Sequence, residues 1–271
     1  MSESVRPRPA LFRALGRNEP PEHVEVGGIR YERIKIFKHD SWAATAMYES
    51  DRGQIVCKFN RQQRIGLIPM RWLGRKLARR EAWFLKQLSD QPNVPDWSGD
   101  VIVDGVVQKH AVAHAFIPGE PLAKNDKPGE EFFLTLRKLL AEVHLRGIAY
   151  VDLHKRENII IGDDGEPYLI DFQISQAMPK WWPFSMLMRV LQRSDDYHMR
   201  KHVLHFRPEL FAGIPTDQIL RRPWWIRAHR LIAVPFRTVR RKLLVLASVR
   251  SGRGSATSEV FPEEGVRNEA A

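Results

Sequence analysis

Between Tyr150 and Ser175 the chain reads YVDLHKRENIIIGDDGEPYLIDFQIS, and this stretch limits the folds open to it more than any other. Two short apolar runs, NIIIG and PYLID, are joined by Asp163-Asp164-Gly165, residue types that accept the backbone angles of a tight hairpin turn. An antiparallel hairpin here brings Asn158 and Asp171, thirteen residues apart in sequence, together at its open end. Asp152 lies just ahead of it. Hard cations such as Mg²⁺ take oxygen ligands, so Asn158 and Asp171 are candidate metal ligands. Asp152 is placed to orient an attacking hydroxyl and accept its proton, so the stretch offers two of the three parts that phosphoryl transfer from a nucleotide needs, the third being a cation on the α and β phosphates.

The rest of the chain is organised around that hairpin. IRYERIKIF (29–37), AATAMYES (43–50) and QIVCKF (54–59) read as strands of a small antiparallel sheet, with a turn at Asp51-Arg52-Gly53. Lys58 lies on the third of these strands, where a point charge can reach phosphates. From 75 to 88, Leu77, Trp83, Phe84 and Leu88 recur near one helical face, and Glu81 on this helix is the expected partner of Lys58. A second hairpin is expected at Asp104-Gly105, with an exit through Pro118-Gly119. Over 130–146, Phe132, Phe133, Leu136, Leu139, Leu140 and Val143 mark a buried helix face, and Gly147 stands where a helix C-cap belongs. Beyond Ser175 helices are expected over 183–193, 195–205 and 224–248. The domain reading is a flexible arm (1–22), a β-rich lobe (23–117), a helical lobe (118–250) and a disordered tail (251–271). The fold class is α+β and bilobal.

Composition narrows the function classes. With 271 residues and 43% hydrophobic content the chain can bury a substantial core. A single cysteine, Cys57, rules out an intrachain disulfide and suits a reducing compartment; it is expected to pack as a small apolar residue. No apolar run reaches the length of a membrane span, and the arginine-bearing start lacks the apolar core of a secretory signal, so a cytoplasmic location is expected. The net charge of +11 and pI near 10.0 point to an anionic partner.

The quoted stretch resembles the catalytic and metal-binding loops of the protein-kinase-like superfamily, with Tyr150-Val151-Asp152 in the place of HRD and Asp171-Phe172-Gln173 in the place of DFG. Bacterial lipopolysaccharide core sugar kinases, the heptose and 3-deoxy-octulosonic acid kinases, are the nearest in flavour, with RIO and aminoglycoside kinases more distant. The resemblance covers roughly 31–211 and implies a small antiparallel N-lobe and a mainly helical C-lobe. It implies Asp152 as the catalytic aspartate, Asn158 and Asp171 as ligands of Mg²⁺, Lys58 and Glu81 as the strand lysine and its helix partner, and ATP as the cofactor. Lys155 would neutralise the transferring phosphoryl group. FIPGEPL (116–122) resembles the segment after the hinge of small-molecule kinases, so that backbone near Ala115 and Ile117 would meet the adenine.

Four features depart from that pattern. Asp152 and Asn158 are six residues apart where five are usual, Gln173 replaces a glycine, and no peptide-binding activation segment follows Phe172. FKHDSWAATA (37–46) also stands where a glycine-rich loop would, leaving Ser41 and nearby amides to cover the phosphates.

Two basic stretches complete the reading. Between Asp51 and Glu81 there are nine lysines or arginines and no acid, including Arg61, Arg64, Arg71, Arg75, Lys76, Arg79 and Arg80. RRPWWIRAHRLIAVPFRTVRRKLLVLASVR (221–250) interleaves tryptophan and leucine with arginine, the composition of a segment lying on an anionic membrane. The Trp181-Trp182 and Trp224-Trp225 pairs are expected to pack in the core rather than to stack on bases, and nucleic acid is not an expected partner. The resulting expectation is an ATP- and Mg²⁺-dependent phosphotransferase acting on a hydroxyl of a lipid-linked or small saccharide, peripheral on the inner membrane. The alternatives are an atypical Ser/Thr protein kinase and a catalytically inactive pseudokinase scaffold.

Overall fold

The computed structural model describes residues 10–64 and 68–214. The expected helix 224–248, the Trp224-Trp225 pair, the basic segment 221–250 and the tail 251–271 lie outside the described residues, as do 1–9 of the expected arm. The fold is α+β, with antiparallel sheets and three α-helices among the described residues. It divides into two units, one of 10–82 with 97–116 and one of 83–96 with 117–214.

In the first unit β1 (His23–Val26), β2 (Ile29–His39), β3 (Ala43–Ser50), β4 (Gly53–Asn60), β5 (Trp97–Gly99), β6 (Val101–Val103), β7 (Val106–Val107) and β8 (Ala111–Ala115) form one antiparallel sheet in the order β5-β8-β4-β3-β2-β1-β6-β7. The expected strands and both turns are present; Asp104 and Gly105 take positive φ of 50° and 73° at the β6–β7 turn. From Ile55 to Asn60 every residue of β4 is buried, and strand alternation divides them between two covered faces. Ile55, Cys57 and Phe59 point into a core with Val24, Val26, Tyr31, Ala46 and Tyr48. Val56, Lys58 and Asn60 therefore point to the opposite face. Burial pushes the Cys57 thiol pKa up, so it behaves as the small apolar residue expected.

Helix α1 (Arg71–Gln87) starts one turn earlier than expected. Its buried face carries Gly74, Ala78, Glu81, Phe84 and Leu85, and Leu88 is buried just past its end; Trp83, expected on that face, is 45% exposed. Gly74 is required for close approach, since a Cβ there would lie 2.3 Å from the Arg61 carbonyl oxygen.

Residues 10–22 correct the expectation of a flexible arm. The Arg61 side chain, counted above among a basic run, is 2% exposed and donates to the carbonyls of Leu11 (2.8 Å), Ser41 (2.6 Å), Gln63 (2.9 Å) and Arg64 (3.1 Å). A buried guanidinium must satisfy its donors, and carbonyls from three segments do so. Ala14 N–H donates to Asp40 O at 2.7 Å, and the Tyr48 hydroxyl donates to Pro21 O at 2.8 Å. The arm is thereby pinned to the sheet.

In the second unit α2 (Glu130–Leu145) buries Phe132, Phe133, Leu136, Leu139, Leu140 and Val143, the six residues of the expected face. Burying each contributes about 1.5–3 kcal/mol relative to exposure, which is what holds the helix. Gly147, at φ 73°, ends it as expected. β11 (Ile159–Gly162) and β12 (Pro167–Leu169) form the hairpin, and β9 (Gly119–Pro121) pairs with β11 on its other side. β10 (Ile148–Ala149) pairs antiparallel with β13 (Gln176–Ala177), joining Ala149 to Gln176. This pairing closes the stretch 150–175 into a loop clamped at both ends.

Two expectations fail after the loop. The helices expected over 183–193 and 195–205 are one helix, α3 (Phe184–Phe206). Ser194-Asp195 suits a helix start, but the Asp195 side chain turns inward to other backbone instead of capping, so nothing interrupts the helix. Trp181 and Trp182, expected in the core, are 62% and 74% exposed. Among the described residues no helix is long and apolar enough to cross a membrane.

Candidate functional site

Each unit holds one of the expected clusters. In the first, Lys58 projects from β4 on the face away from the core, and Glu81 projects from the buried face of α1. The Lys58 Nζ lies 3.3 Å from each carboxylate oxygen of Glu81, with both residues buried. Charges so placed need one another, because either one alone would lose its hydration without compensation. Ser41 is placed less favourably for a phosphate, since its hydroxyl already donates to Phe12 O at 3.0 Å. Ala115 ends β8 opposite Ile55, and its carbonyl accepts a hydrogen bond from His114 Nδ1 at 2.8 Å.

In the second unit the loop closed by β10 and β13 gathers the rest. Asp152 is 1% exposed; its Oδ2 accepts from Lys155 Nζ at 2.7 Å, and its Oδ1 lies 3.3 Å from His154 Nδ1 without a hydrogen bond. The six-residue spacing to Asn158 is absorbed by a turn, in which Lys155 N–H donates to Asp152 O, and by a 3-10 helix over Arg156–Asn158. Asn158 then meets the far strand of the hairpin: Ile170 N–H donates to Asn158 O at 3.1 Å, as the hairpin register requires. Asp171 follows directly. Ile117 lies half-buried ahead of β9.

The electrostatics tie these groups together. Burial raises the Tyr150 hydroxyl pKa well above its ordinary value, and the nearby charges of Asp171 and Asp152 raise it further. For Lys155, burial disfavours the ammonium, but the charge of Asp152 and its hydrogen bond, with Asp171 and Glu157, outweigh burial and raise its pKa. Asp152, Lys155 and Asp171 therefore feel one another. Phe172, fully buried, packs edge-on against Tyr150 with ring centroids 5.1 Å apart, and the Tyr150 hydroxyl donates to Ile170 O.

The backbone here is strained. Val151 and Asp171 have φ of 71° and 62°, and the only other non-glycine residue at positive φ among the described residues is Asp104, in a turn. A β-branched valine in this region is held against its preference. The constraint comes from Asp195, fully buried on α3, whose Oδ1 accepts from Val151 N–H and whose Oδ2 accepts from Tyr150 N–H, both at 2.8 Å. The Ser175 hydroxyl adds a bond to Tyr150 O at 3.0 Å, and His202 Nε2 donates to Leu153 O at 2.6 Å.

Sequence reasoning missed Asp195, Ser175 and His202. A signal existed: Asp195 and His202 stand in line with Met188 and Met199 on the buried face of α3, where an apolar residue is expected.

The donor set fits Mg²⁺. Asn158 and Asp171 offer a carboxamide and a carboxylate, the few hard oxygen ligands that this ion uses when phosphates complete its shell. The Asn158 Nδ2 atom is buried without a hydrogen-bond partner, and an amide flip would turn its oxygen to the same place. Among the described residues no group of three or more His, Cys, Asp or Glu could hold a metal ion. No family model matches the chain, and no curated protein matches it either.

Proposed function

We propose that the chain is an ATP- and Mg²⁺-dependent phosphotransferase of protein-kinase-like fold, acting on a hydroxyl of a lipid-linked or small saccharide at a membrane surface. The observation that carries the reading is the clamped loop 150–175, in which Asp152 and Asp171 act on both Tyr150 and Lys155 and strained backbone is held in place by a buried carboxylate. Strain that a surrounding network maintains is characteristic of functional sites.

In this mechanism Asp152 accepts the proton of the acceptor hydroxyl as its oxygen bonds to the γ-phosphorus. The bond from that phosphorus to the β–γ bridging oxygen breaks, and ADP leaves. Lys155, now paired with Asp152, both positions that carboxylate and supplies positive charge toward the phosphoryl oxygens. Asn158 and Asp171 would hold Mg²⁺, which when bound neutralises phosphate charge. Lys58, held by Glu81, would supply charge to the α and β phosphates, and amides near Ser41 rather than its hydroxyl, which is bonded to Phe12 O, would cover them; backbone at Ala115 or Ile117 would meet the adenine.

The membrane part of the reading is supported by exposed Trp181, Trp182, Phe184, Met186 and Leu187, next to Lys180 and Arg189, with no acid between Asp171 and Asp195. Amphipathic aromatic rings beside cations favour an anionic bilayer interface.

The test is transfer of labelled phosphate from ATP to a panel of saccharide acceptors, with Asp152→Asn as the control. Transfer by the wild type and its loss in the variant support the reading; equal transfer by both removes it. A second reading, an inactive scaffold, is favoured by the occupied Asp152 Oδ2 and by the Ser41 hydroxyl bonded to Phe12 O. Absence of ATP binding by the wild type would select it.

A further inference from the structure

A second polar cluster in the first unit is used by neither the Lys58–Glu81 pair nor the proposed transfer. A cavity of about 330 Å³ lies between the first turns of α1 and the segment around the β7–β8 connection. Arg71 and Arg75 line it from α1, Lys109 and His110 from the connection, and Gln62 from the segment after β4. Among the described residues no carboxylate lines it.

Arg71 and Arg75 are one helical turn apart on an exposed face, where like charges repel. The first turn of α1 holds no acid, so the positive end of the helix adds to their field. His110 reports that field. Burial, then the charges of Arg75 and Arg71, push its pKa down to about 4, and its neutral ring shares a 2.5 Å contact with the Gln62 amide. The wall next to the cations is apolar, with Val106 and Val107 exposed at 63% and 47%.

We propose that this cavity binds the phosphate of a phosphomonoester, with the forks of Arg71 and Arg75 and the ammonium of Lys109 on its oxygens and the two valines against the apolar group it carries. Planar guanidinium pairs match phosphate oxygens in bidentate fashion, and three cations suit a dianion. The site is separate from the transfer chemistry, since Arg75 precedes Glu81 by about 9 Å along the helix. The phosphate can belong to a lipid headgroup or to a soluble compound.

The test uses the full chain at low salt and phenyl phosphate as the probe. Calorimetry on the wild type should show saturable binding, with the His110 ring resonances shifting during the titration. Arg71→Gln/Arg75→Gln should weaken it about tenfold or more, the effect of losing hydrogen bonds to a charged group. Lys76→Gln/Arg79→Gln removes the same formal charge from the same helix outside the cavity and should leave binding unchanged, as should Asp171→Ala. No binding by the wild type, or equal weakening in both double variants, overturns the site. Phosphatidylcholine vesicles with and without phosphatidic acid assign the source. Pelleting only with phosphatidic acid, and release by phenyl phosphate, support the site and name a lipid headgroup. Phenyl phosphate binding without pelleting supports it and names a soluble phosphomonoester.

Discussion

In the first unit a buried lysine and a buried glutamate face each other from two regular elements, β4 and α1. In the second a buried aspartate sits in a loop where Val151 and Asp171 take positive φ. Alternation on a strand and the i, i+3 face of a helix suffice to bring Lys58 and Glu81 together; no residue is strained to do it. The loop needs external help. Asp195, Ser175 and His202 hold its backbone, while Asp152 Oδ1 and Asn158 Nδ2 stay buried without hydrogen-bond partners. Buried polar atoms in native proteins are nearly always satisfied, so these two atoms are points at which the loop can take a further partner.

The contrast is tested most strongly at Asp152. Asp152→Asn preserves shape and most hydrogen bonding but removes the proton acceptor, so turnover should fall by roughly 10²- to 10⁴-fold. Affinity for ATP should hardly change. Rate and calorimetric measurements on the one variant check both, and undiminished turnover would strip the loop of its proposed role.

Lys58 and Glu81 should behave as a structural unit as well. Lys58→Met removes the cation beside a buried carboxylate and should cost about 3–5 kcal/mol of stability, whereas Lys58→Met/Glu81→Leu should recover most of it. Denaturant unfolding of the single and double variants measures this. Equal losses in both would mean that packing, not charge, makes the pair matter.

How far these regions could be read from sequence follows from the same contrast. The β2–β4 strands, the face of α2 and the Asn158–Asp171 hairpin were legible because local periodicity and turn residues determine them. The Lys58–Glu81 contact and the gathering of Asn158 with Asp171 followed from those elements. Asp195 was not legible as a clamp, because its partners, Tyr150 and Val151, lie about 45 residues away and only tertiary packing joins them. Arg61 looked like one cation in a basic run, since a sequence does not reveal which arginine finds four carbonyls. For Trp181 and Trp182 only residue type argues for the core, and large apolar rings are also common at the surface.

His202 gives the clamp a pH signature. Burial pushes its pKa down to about 4 from an ordinary 6.5, although its bond to Leu153 O works the other way. Between these values the unfolded chain binds more protons, so stability rises with pH across the window and is lost as pH falls from about 6.5 toward 4. His198, also lowered to about 4, adds to the slope. His202→Gln, which can still donate to Leu153 O, should reduce the slope by up to about 1.4 kcal/mol per pH unit. Unfolding midpoints across that range decide it, and an unchanged slope would place His202 outside the linkage.

The smallest effect separates the two regions by sign. Val151 is held at φ 71°, where a side chain with a branched Cβ meets the backbone, while Val56 lies in extended β4 between Met47 and His114 with 7% exposure. Glycine accepts the first conformation without steric penalty but carries an entropic cost of its own, so Val151→Gly should leave stability unchanged or raise it by up to about 1 kcal/mol. Val56→Gly loses buried apolar contact and strand preference together and should be destabilising by about 2 kcal/mol or more. The two variants unfolded side by side give a direct reading of where strain resides. A loss at Val151 as large as that at Val56 would mean that the loop rests on its side-chain packing and that the clamp from Asp195 holds no strained backbone in place.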